Sequence, residues 1–272
     1  MELKTSIMGV GMVGGALAGV LKDPVLYDPP KQIGDINDVN NTDVVFICVP
    51  TPNNGDLTAV EDCIKKLKPR IEKTYPGMYP PEIPEDITET EIPKIIVIKS
   101  TVLPGTTDYL QKKYPQHKFL FNPEFLTEST ADQDMRYPDR QIIGYTKESY
   151  TVAEDIMLML PLAPFERIVP AKEAEMAKYY NNAWFATKVI FANQIYDLCQ
   201  SAEINYDNVK EMAAADKRVG RSHLNIWHKG YRGFGGKCLP KDLDALLKFA
   251  KDNKVSVPLL KAVKQINETW KK

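Results

Sequence analysis

At 272 residues the chain has room for two domains, and its 43% hydrophobic and 26% charged residues are those of an ordinary globular protein. A formal net charge of −1 argues against nonspecific binding to nucleic acid or to an anionic membrane. No uninterrupted apolar run approaches the roughly 20 residues of a membrane span, and the chain opens Met-Glu-Leu-Lys straight into a strand, so neither a span nor a leader is expected. Cys48, Cys63, Cys199 and Cys238 stand far apart with no CxxC pair. They read as reduced thiols of a cytoplasmic protein, without a disulfide frame or a zinc site. His117, His223 and His228 have no metal-ligand spacing, so no metal is expected.

Leu3 to Met8 reads as a short strand, Gly9 to Gly14 as a glycine turn, Ala16 to Leu21 as a helix and Pro24 to Tyr27 as a second strand. Little chain separates Tyr27 from Asp43, too little for a complete further strand-helix unit. Asp43 to Val49 (DVVFICV) and Lys94 to Lys99 (KIIVIK) are apolar at nearly every position, as parallel strands covered on both faces should be. Between them Glu61 to Tyr75 reads as a helix. Pro76 to Pro93, acidic and dense in proline, reads as an exposed loop insertion. Further strands are expected at Lys118 to Phe121 and Gln141 to Tyr145. This alternation predicts an α/β fold with a doubly wound parallel sheet over residues 1–168.

From about Lys172 the pattern turns helical. Met176, Tyr180, Trp184, Val189, Ala192 and Ile195 recur at helical spacing over a long run, as in the spine of a helical domain or a dimer seam. Shorter helices are expected at Asn205 to Ala215, Leu239 to Lys251 and Val257 to Trp270. Residues 169–272 are therefore read as an all-α domain built on a long helix.

Four motifs carry chemistry. Gly9-Val-Gly11-Met-Val-Gly14 follows a strand and opens a helix, the context a dinucleotide fingerprint requires. Asp28 ends the second strand 19 residues after Gly9, where a carboxylate accepts from ribose hydroxyls and repels a 2′-phosphate, favouring NAD over NADP. Gly233-Phe-Gly-Gly-Lys-Cys238-Leu-Pro-Lys-Asp242 sets a thiol behind a glycine loop, with a carboxylate four residues on and lysines at 237 and 241. Cys238 is either a nucleophile or a small buried hydrophobe at a helix start. Glu124 and Glu128 are either an acid-base pair able to hold water or solvated residues at a helix N-terminus. Lys178 and Asn182, at i and i+4, either bind an oxyanion or simply occupy an exposed helix face.

In this order the segments GVGMVG, VVFICVPTP, KSTVLPGTT, NPEFLTEST, YPDRQIIG, AEMAKYYNNAWFATKVIFANQ, DKRVG and GFGGKCLPKD resemble the nucleotide-sugar 6-dehydrogenases, typified by UDP-glucose 6-dehydrogenase, across nearly the whole chain. The resemblance implies a Rossmann domain followed by a helical central domain that forms a homodimer through its long helix. It also implies two successive hydride transfers to NAD at one site, taking a primary alcohol at C6 to a carboxylate. On the matching positions Cys238 would attack the intermediate aldehyde, Lys178 and Asn182 would stabilise the oxyanion, and Asp242 would assist proton transfer. Glu128 and Thr101 would place a water and contact the nicotinamide, and Glu124 would help hydrolysis. The cofactor would meet Gly9, Gly11, Met12, Val13, Gly14 and Asp28. It would also meet Val49, Pro50, Thr51, Ser100, Thr101 and Glu128, with Cys238 and Lys241 beside it. The sugar nucleotide would meet Glu124, Phe125, Leu126, Lys178 and Asn182, then Phe234, Gly235, Lys241 and Cys238, while Arg218 would reach a neighbouring subunit's substrate.

The family is usually longer and has a third, Rossmann-like domain that grips the nucleotide of the sugar, whereas this chain stops at Trp270-Lys-Lys. The segment from Arg218 to Cys238 is longer than usual, Gln194 replaces a common glutamate and the 28–43 region is abbreviated. Three rival readings stand beside a self-sufficient enzyme of this type. A β-hydroxyacid dehydrogenase would share the lysine and asparagine but needs no cysteine. The second is a nucleotide-binding protein without turnover, and the third an enzyme completed by a second polypeptide.

Overall fold

The computed structural model describes residues 3–52, 55–74 and 88–270. In chain order the elements are β1 (Thr5–Met8), α1 (Met12–Ala18), β2 (Val25–Tyr27), α2 (Ile36–Asn40), β3 (Val44–Ile47) and α3 (Thr58–Ile64). They continue with β4 (Arg70–Thr74), β5 (Thr88–Ile92), β6 (Ile95–Ile98), α4 (Thr106–Lys113), β7 (Lys118–Phe121), α5 (Ala131–Arg136), β8 (Gln141–Tyr145), α6 (Ala153–Met159) and β9 (Glu166–Pro170). The remainder is helical: α7 (Ala171–Ser201), α8 (Tyr206–Ala214), α9 (Leu239–Asp252) and α10 (Pro258–Trp270). The chain divides into two compact units, Met1–Thr51 with Asp56–Lys178, and Tyr179–Lys272 with Pro52–Gly55.

The first unit holds a seven-stranded sheet in the order β2-β1-β3-β6-β7-β8-β9. Side chains alternate between its faces with the period of two that a strand imposes. Ile7, Phe46, Val97 and Leu120 join one apolar cluster, while Met8, Ile47, Ile98 and Phe121 join another. All eight are fully buried, which explains why these strands read as unbroken apolar runs. The topological switch falls at β1, flanked by β2 and β3. The short 28–43 segment makes only a single 3₁₀ turn and α2, leaving β2 at the sheet edge.

The sheet is parallel except at β7–β8, where Leu120 pairs with Tyr145 and Phe121 with Gly144 in antiparallel register. The doubly wound parallel sheet expected is present, with this one antiparallel step. An antiparallel neighbour starts at the edge where β7 ends, so residues 122–140 stay on that edge. A correction concerns the helix expected over 61–75. It ends at Ile64, and Arg70–Thr74 is instead strand β4, paired antiparallel with β5. Pro69 blocks helix continuation. Strand β5 thus takes up part of the expected loop insertion, and residues 75–87 lie outside the described residues.

Two buried charged side chains fix helices to the sheet. Glu175 of α7 accepts from the Gly105 N–H (2.5 Å), the Thr107 N–H (2.8 Å) and the Thr107 hydroxyl (2.6 Å), capping the N-terminus of α4. Lys94 donates to the carbonyls of Asn40 (3.0 Å) and Thr42 (2.6 Å) at the C-terminal end of α2.

His117 is buried, and neither ring nitrogen makes a hydrogen bond of good geometry. Burial, aided by the charge of Lys94, outweighs a weak backbone contact at Leu67 and pushes its pKa down from 6.5 to about 4. The unfolded chain binds the proton first, so native stability contributed by neutral His117 is present above pH 6.5 and lost as pH falls through 4. Urea unfolding should therefore show His117→Phe losing about 3 kcal/mol less stability than the native chain between pH 7 and pH 4. Equal acid limbs would show that His117 does not titrate as its burial dictates.

Candidate active site

The glycine turn leaves the C-terminal end of β1 at the topological switch, where open α/β sheets bind ligands. Gly9 has φ +94, and a Cβ there would lie 2.9 Å from the Cys48 carbonyl oxygen. A Cβ on Gly14 would collide with the Gly9 carbonyl oxygen, so α1 packs directly on the turn. At Gly11 a Cβ would meet nothing within 4 Å, leaving backbone open to a phosphate, and the first turn of α1 holds no acidic residue. Asp28 turns towards this loop, its Oδ2 accepting from the Val10 N–H at 2.8 Å, and Lys31 donates to the Val10 carbonyl at 2.5 Å. A cleft of about 510 Å³ beside the turn is lined by Gly11, Met12, Gly15 and Glu128 among others.

The loops after β3 and β6 are stitched together at the same edge. Ser100 donates to the Val49 carbonyl at 2.6 Å, and Thr51 donates to the Thr101 carbonyl at 2.7 Å. Cys48 and Cys63 nearby are inert at neutral pH, since burial pushes their thiols up to about 12 and about 11.

Glu124 and Glu128 do not share a helix face, because residues 122–127 form no helix. Glu128 is exposed in the cleft beside Gly11, whereas Glu124 is buried against Lys178. Lys178 Nζ donates to Glu124 Oε1 and to the Glu124 carbonyl, both at 2.7 Å, with the side chains only 6% and 9% exposed. Glu124 Oε2 accepts from the Leu126 N–H at 2.8 Å. Burial alone would raise the Glu124 carboxyl, but Lys178 and the Leu126 N–H outweigh it and hold the group below its usual value. Phe125 lies under Arg140, 3.7 Å from the ring centroid to Cζ. Lys99 and Asn122 complete this network: Lys99 Nζ donates to Asn122 Oδ1 at 2.5 Å, and Asn122 Nδ2 donates to the Ile142 carbonyl at 2.8 Å. Burial lowers the Lys99 ammonium, opposed by Cys48 and Glu124. Lys99 and Asn122 open the KSTVLPGTT and NPEFLTEST segments, but neither is singled out there as a site residue. A lysine closing an otherwise apolar strand is the signal that the sequence offers.

In the second unit Cys238 is exposed and stands at the N-cap of α9. Asp242, one turn on, is buried, and its N–H bonds the Cys238 carbonyl at 2.9 Å. Asn182 Nδ2 donates to Asp242 Oδ2 at 2.5 Å, and Lys241 Nζ lies 2.6 Å from Asp242 Oδ1. Lys178 and Asn182 are therefore buried, not displayed on an exposed helix face. Phe234 is buried in the apolar cluster with Val263 and Leu243, and Gly235 is half-buried beside it. Arg218 is exposed and paired with Asp216 at 2.6 Å. Among the described residues no group of three or more His, Cys, Asp or Glu side chains forms a metal site, and no helix is long and apolar enough to cross a membrane.

The Rossmann-like sheet, the open glycine cradle and Asp28 beside it define a dinucleotide-binding domain, and these residues fit NAD. Residues 31–158 match the NAD binding domain of the UDP-glucose/GDP-mannose dehydrogenase family, and residues 172–269 match its central domain. The chain belongs to this family, and its cofactor is NAD. It is 34% identical over 241 residues to a UDP-glucose 6-dehydrogenase of Rickettsia conorii, covering 85% of this chain and 50% of that protein. The chain thus spans about half the length of the curated relatives it matches. The structure of a UDP-glucose dehydrogenase from Pyrobaculum islandicum superposes with a TM-score of 0.77 at 25% identity, over 99% of this chain and 68% of that one. A GDP-mannose dehydrogenase from Pseudomonas aeruginosa gives a TM-score of 0.63 at 25% identity, over 98% and 69%.

Removing one partner of a buried ion pair strands the other charge. Lys178→Met should cost about 3–5 kcal/mol in urea unfolding, and adding Glu124→Gln should restore a large part of it. A purely additive double variant would show that the two side chains are not coupled.

Proposed function

We propose that the chain oxidises the C6 alcohol of a nucleotide sugar, UDP-glucose, to the carboxylate through a thioester on Cys238. The observation that carries this reading is the exposed Cys238 thiol at the head of α9, one turn from the buried Asp242 that Asn182 bonds. NAD held at the glycine cradle would accept one hydride per molecule, so two molecules in turn would serve the two oxidations. Asp28 receives the ribose hydroxyls, while Val13, Pro50 and the stitched Val49, Thr51, Ser100 and Thr101 loops form the rest of its seat.

Once the alcohol has become an aldehyde, Cys238 Sγ bonds to its carbonyl carbon as a thiolate. The carbonyl oxygen takes the negative charge. Lys178 directs two donors at Glu124, leaving one of the three on an ammonium for that oxygen, and Asn182 has a second amide hydrogen. A preorganised donor in a water-poor site stabilises developing charge more than water does. Asp242 accepts the proton that the C6 hydroxyl loses as the alcohol becomes the aldehyde. Loss of hydride from the same carbon leaves the thioester, and a water held by Glu128 and Thr101, with help from Glu124, adds to it. The carbon–sulfur bond then breaks, releasing the acid and restoring the thiol. Phe125, Leu126, Phe234, Gly235 and Lys241 contact the sugar.

Tyr180, Trp184, Phe191 and Leu198 lie four and seven residues apart on α7 and are 70%, 51%, 62% and 64% exposed. Such a contiguous apolar stripe supports a homodimer seam along this helix, with the exposed Arg218 reaching a neighbour's substrate.

Purified chain with NAD and UDP-glucose, GDP-mannose or UDP-N-acetylmannosamine should form two NADH per UDP-glucose consumed, read at 340 nm. Cys238→Ala should abolish acid formation while NAD affinity stays within about twofold. Acid formation at the normal rate by that variant excludes the thioester. No turnover with any of the three sugars, despite NAD binding, points instead to a binding role or a second polypeptide.

Trp184→Glu with Phe191→Glu should convert a sedimenting dimer to monomer. A native chain already monomeric at micromolar concentration contradicts the seam.

A further inference from the structure

The loop that carries Cys238 is anchored by two polar residues that the proposed chemistry does not use. Asn267 of α10 is 2% exposed, and both ends of its amide engage one residue of the loop. Its Oδ1 accepts from the Phe234 N–H at 2.7 Å, and its Nδ2 donates to the Phe234 carbonyl at 2.9 Å. Gly233 has φ +77, and a Cβ there would run into Asn267 Oδ1, so the backbone passes the amide as closely as glycine allows. On the other side of Gly233, Arg232 donates to Asn193 Oδ1 at 3.1 Å and pairs with Asp197 at 2.8 Å. Its guanidinium also lies over the rings of Tyr196 and Trp270, at 5.2 and 5.0 Å. Residue 232 is thus held to α7 and residue 234 to α10.

Apolar packing of the Phe234 ring would bury the loop but leave its peptide planes free to rotate, because burial is not directional. A two-point amide clamp on the N–H and C=O of one residue fixes that segment of backbone. Only Gly235, Gly236 and Lys237 then separate the fixed residue from Cys238, which is tied to α9 through its own carbonyl. We infer that Asn267 is a positioning residue that locks the glycine loop and thereby the direction in which Cys238 presents its sulfur. This rests on Cys238 being the reacting thiol.

The test compares native chain with Asn267→Leu, close in volume but unable to bond, and Asn267→Asp, which keeps the acceptor for Phe234 N–H. Amide hydrogen exchange of the 233–238 peptide should accelerate about tenfold or more in Asn267→Leu, with the α9 peptide unchanged. Iodoacetamide alkylation at Cys238 should slow at least about threefold, as the sulfur leaves the helix N-terminus that favours a thiolate. In turnover, kcat should fall about tenfold with KM for NAD unchanged, and Asn267→Asp should fall between.

Unchanged exchange in the loop, or unchanged Cys238 alkylation despite faster exchange, overturns the inference. A uniform rise in exchange over the whole helical unit also overturns it, since Asn267 would then be a general packing residue. Should Asn267→Leu not fold, the same readouts on Asn267→Asp decide. If Cys238→Ala still makes acid while Asn267→Leu loosens the loop and slows alkylation, the role of Cys238 fails and the clamp stands.

Discussion

Lys178 and Glu124 are both nearly excluded from water, and their charged ends meet at 2.7 Å. Their pairing sets the position of everything around it. Lys178 belongs to the first turns of α7, and Glu124 to the loop that leaves β7 at the edge where β8 begins. Holding the two together fixes the start of the long helix against that loop. Glu175, almost one turn earlier on α7, repeats the device by capping α4. Two buried carboxylates thus pin one helix to two different segments of the sheet domain. The charge of Lys99 adds to that of Lys178 in holding the Glu124 carboxyl below its usual value.

The second unit solves the same problem with amides. Asn182 answers Asp242, and Asn267 answers both polar groups of Phe234. Unbonded, each of these buried groups would carry a penalty of about 1–3 kcal/mol. The Phe234 pairings are therefore specific: a loop displaced from Asn267 loses both together rather than one at a time.

Local pattern determined what could be read from the sequence. Strands such as Val44–Ile47 and Ile95–Ile98 announce themselves because covered strands admit only apolar residues, and the glycine turn because its spacing reflects backbone contact. The β4–β5 hairpin was hidden because apolar spacing runs past Pro69 without showing that the backbone cannot follow it. The glutamates at 124 and 128 read as a pair able to share a water or as solvated residues at a helix start, yet an irregular backbone sends one inward and the other to the cleft beside Gly11. Burial of Lys178 and Asn182 was not legible, since what covers a helix face is decided by distant segments. Asn267 is 33 residues from Phe234, and nothing near it in the chain signals the contact.

A common arrangement emerges in both units: exposed candidate site groups beside buried polar ones. Cys238, Glu128 and the open backbone at Gly11 face outward, whereas Asp242, Asn267, Lys99 and Lys178 are shielded. This distribution suits the chemistry proposed. A thiol must be accessible to a carbonyl carbon, while the groups that orient it or hold developing charge act most strongly where water cannot compete. The reverse arrangement would fail on both counts. A buried thiol would resist ionisation, as Cys48 does, and an exposed lysine would be screened by solvent and salt. The contrast between Cys48 and Cys238 therefore separates a packing cysteine from a candidate nucleophile on environment alone.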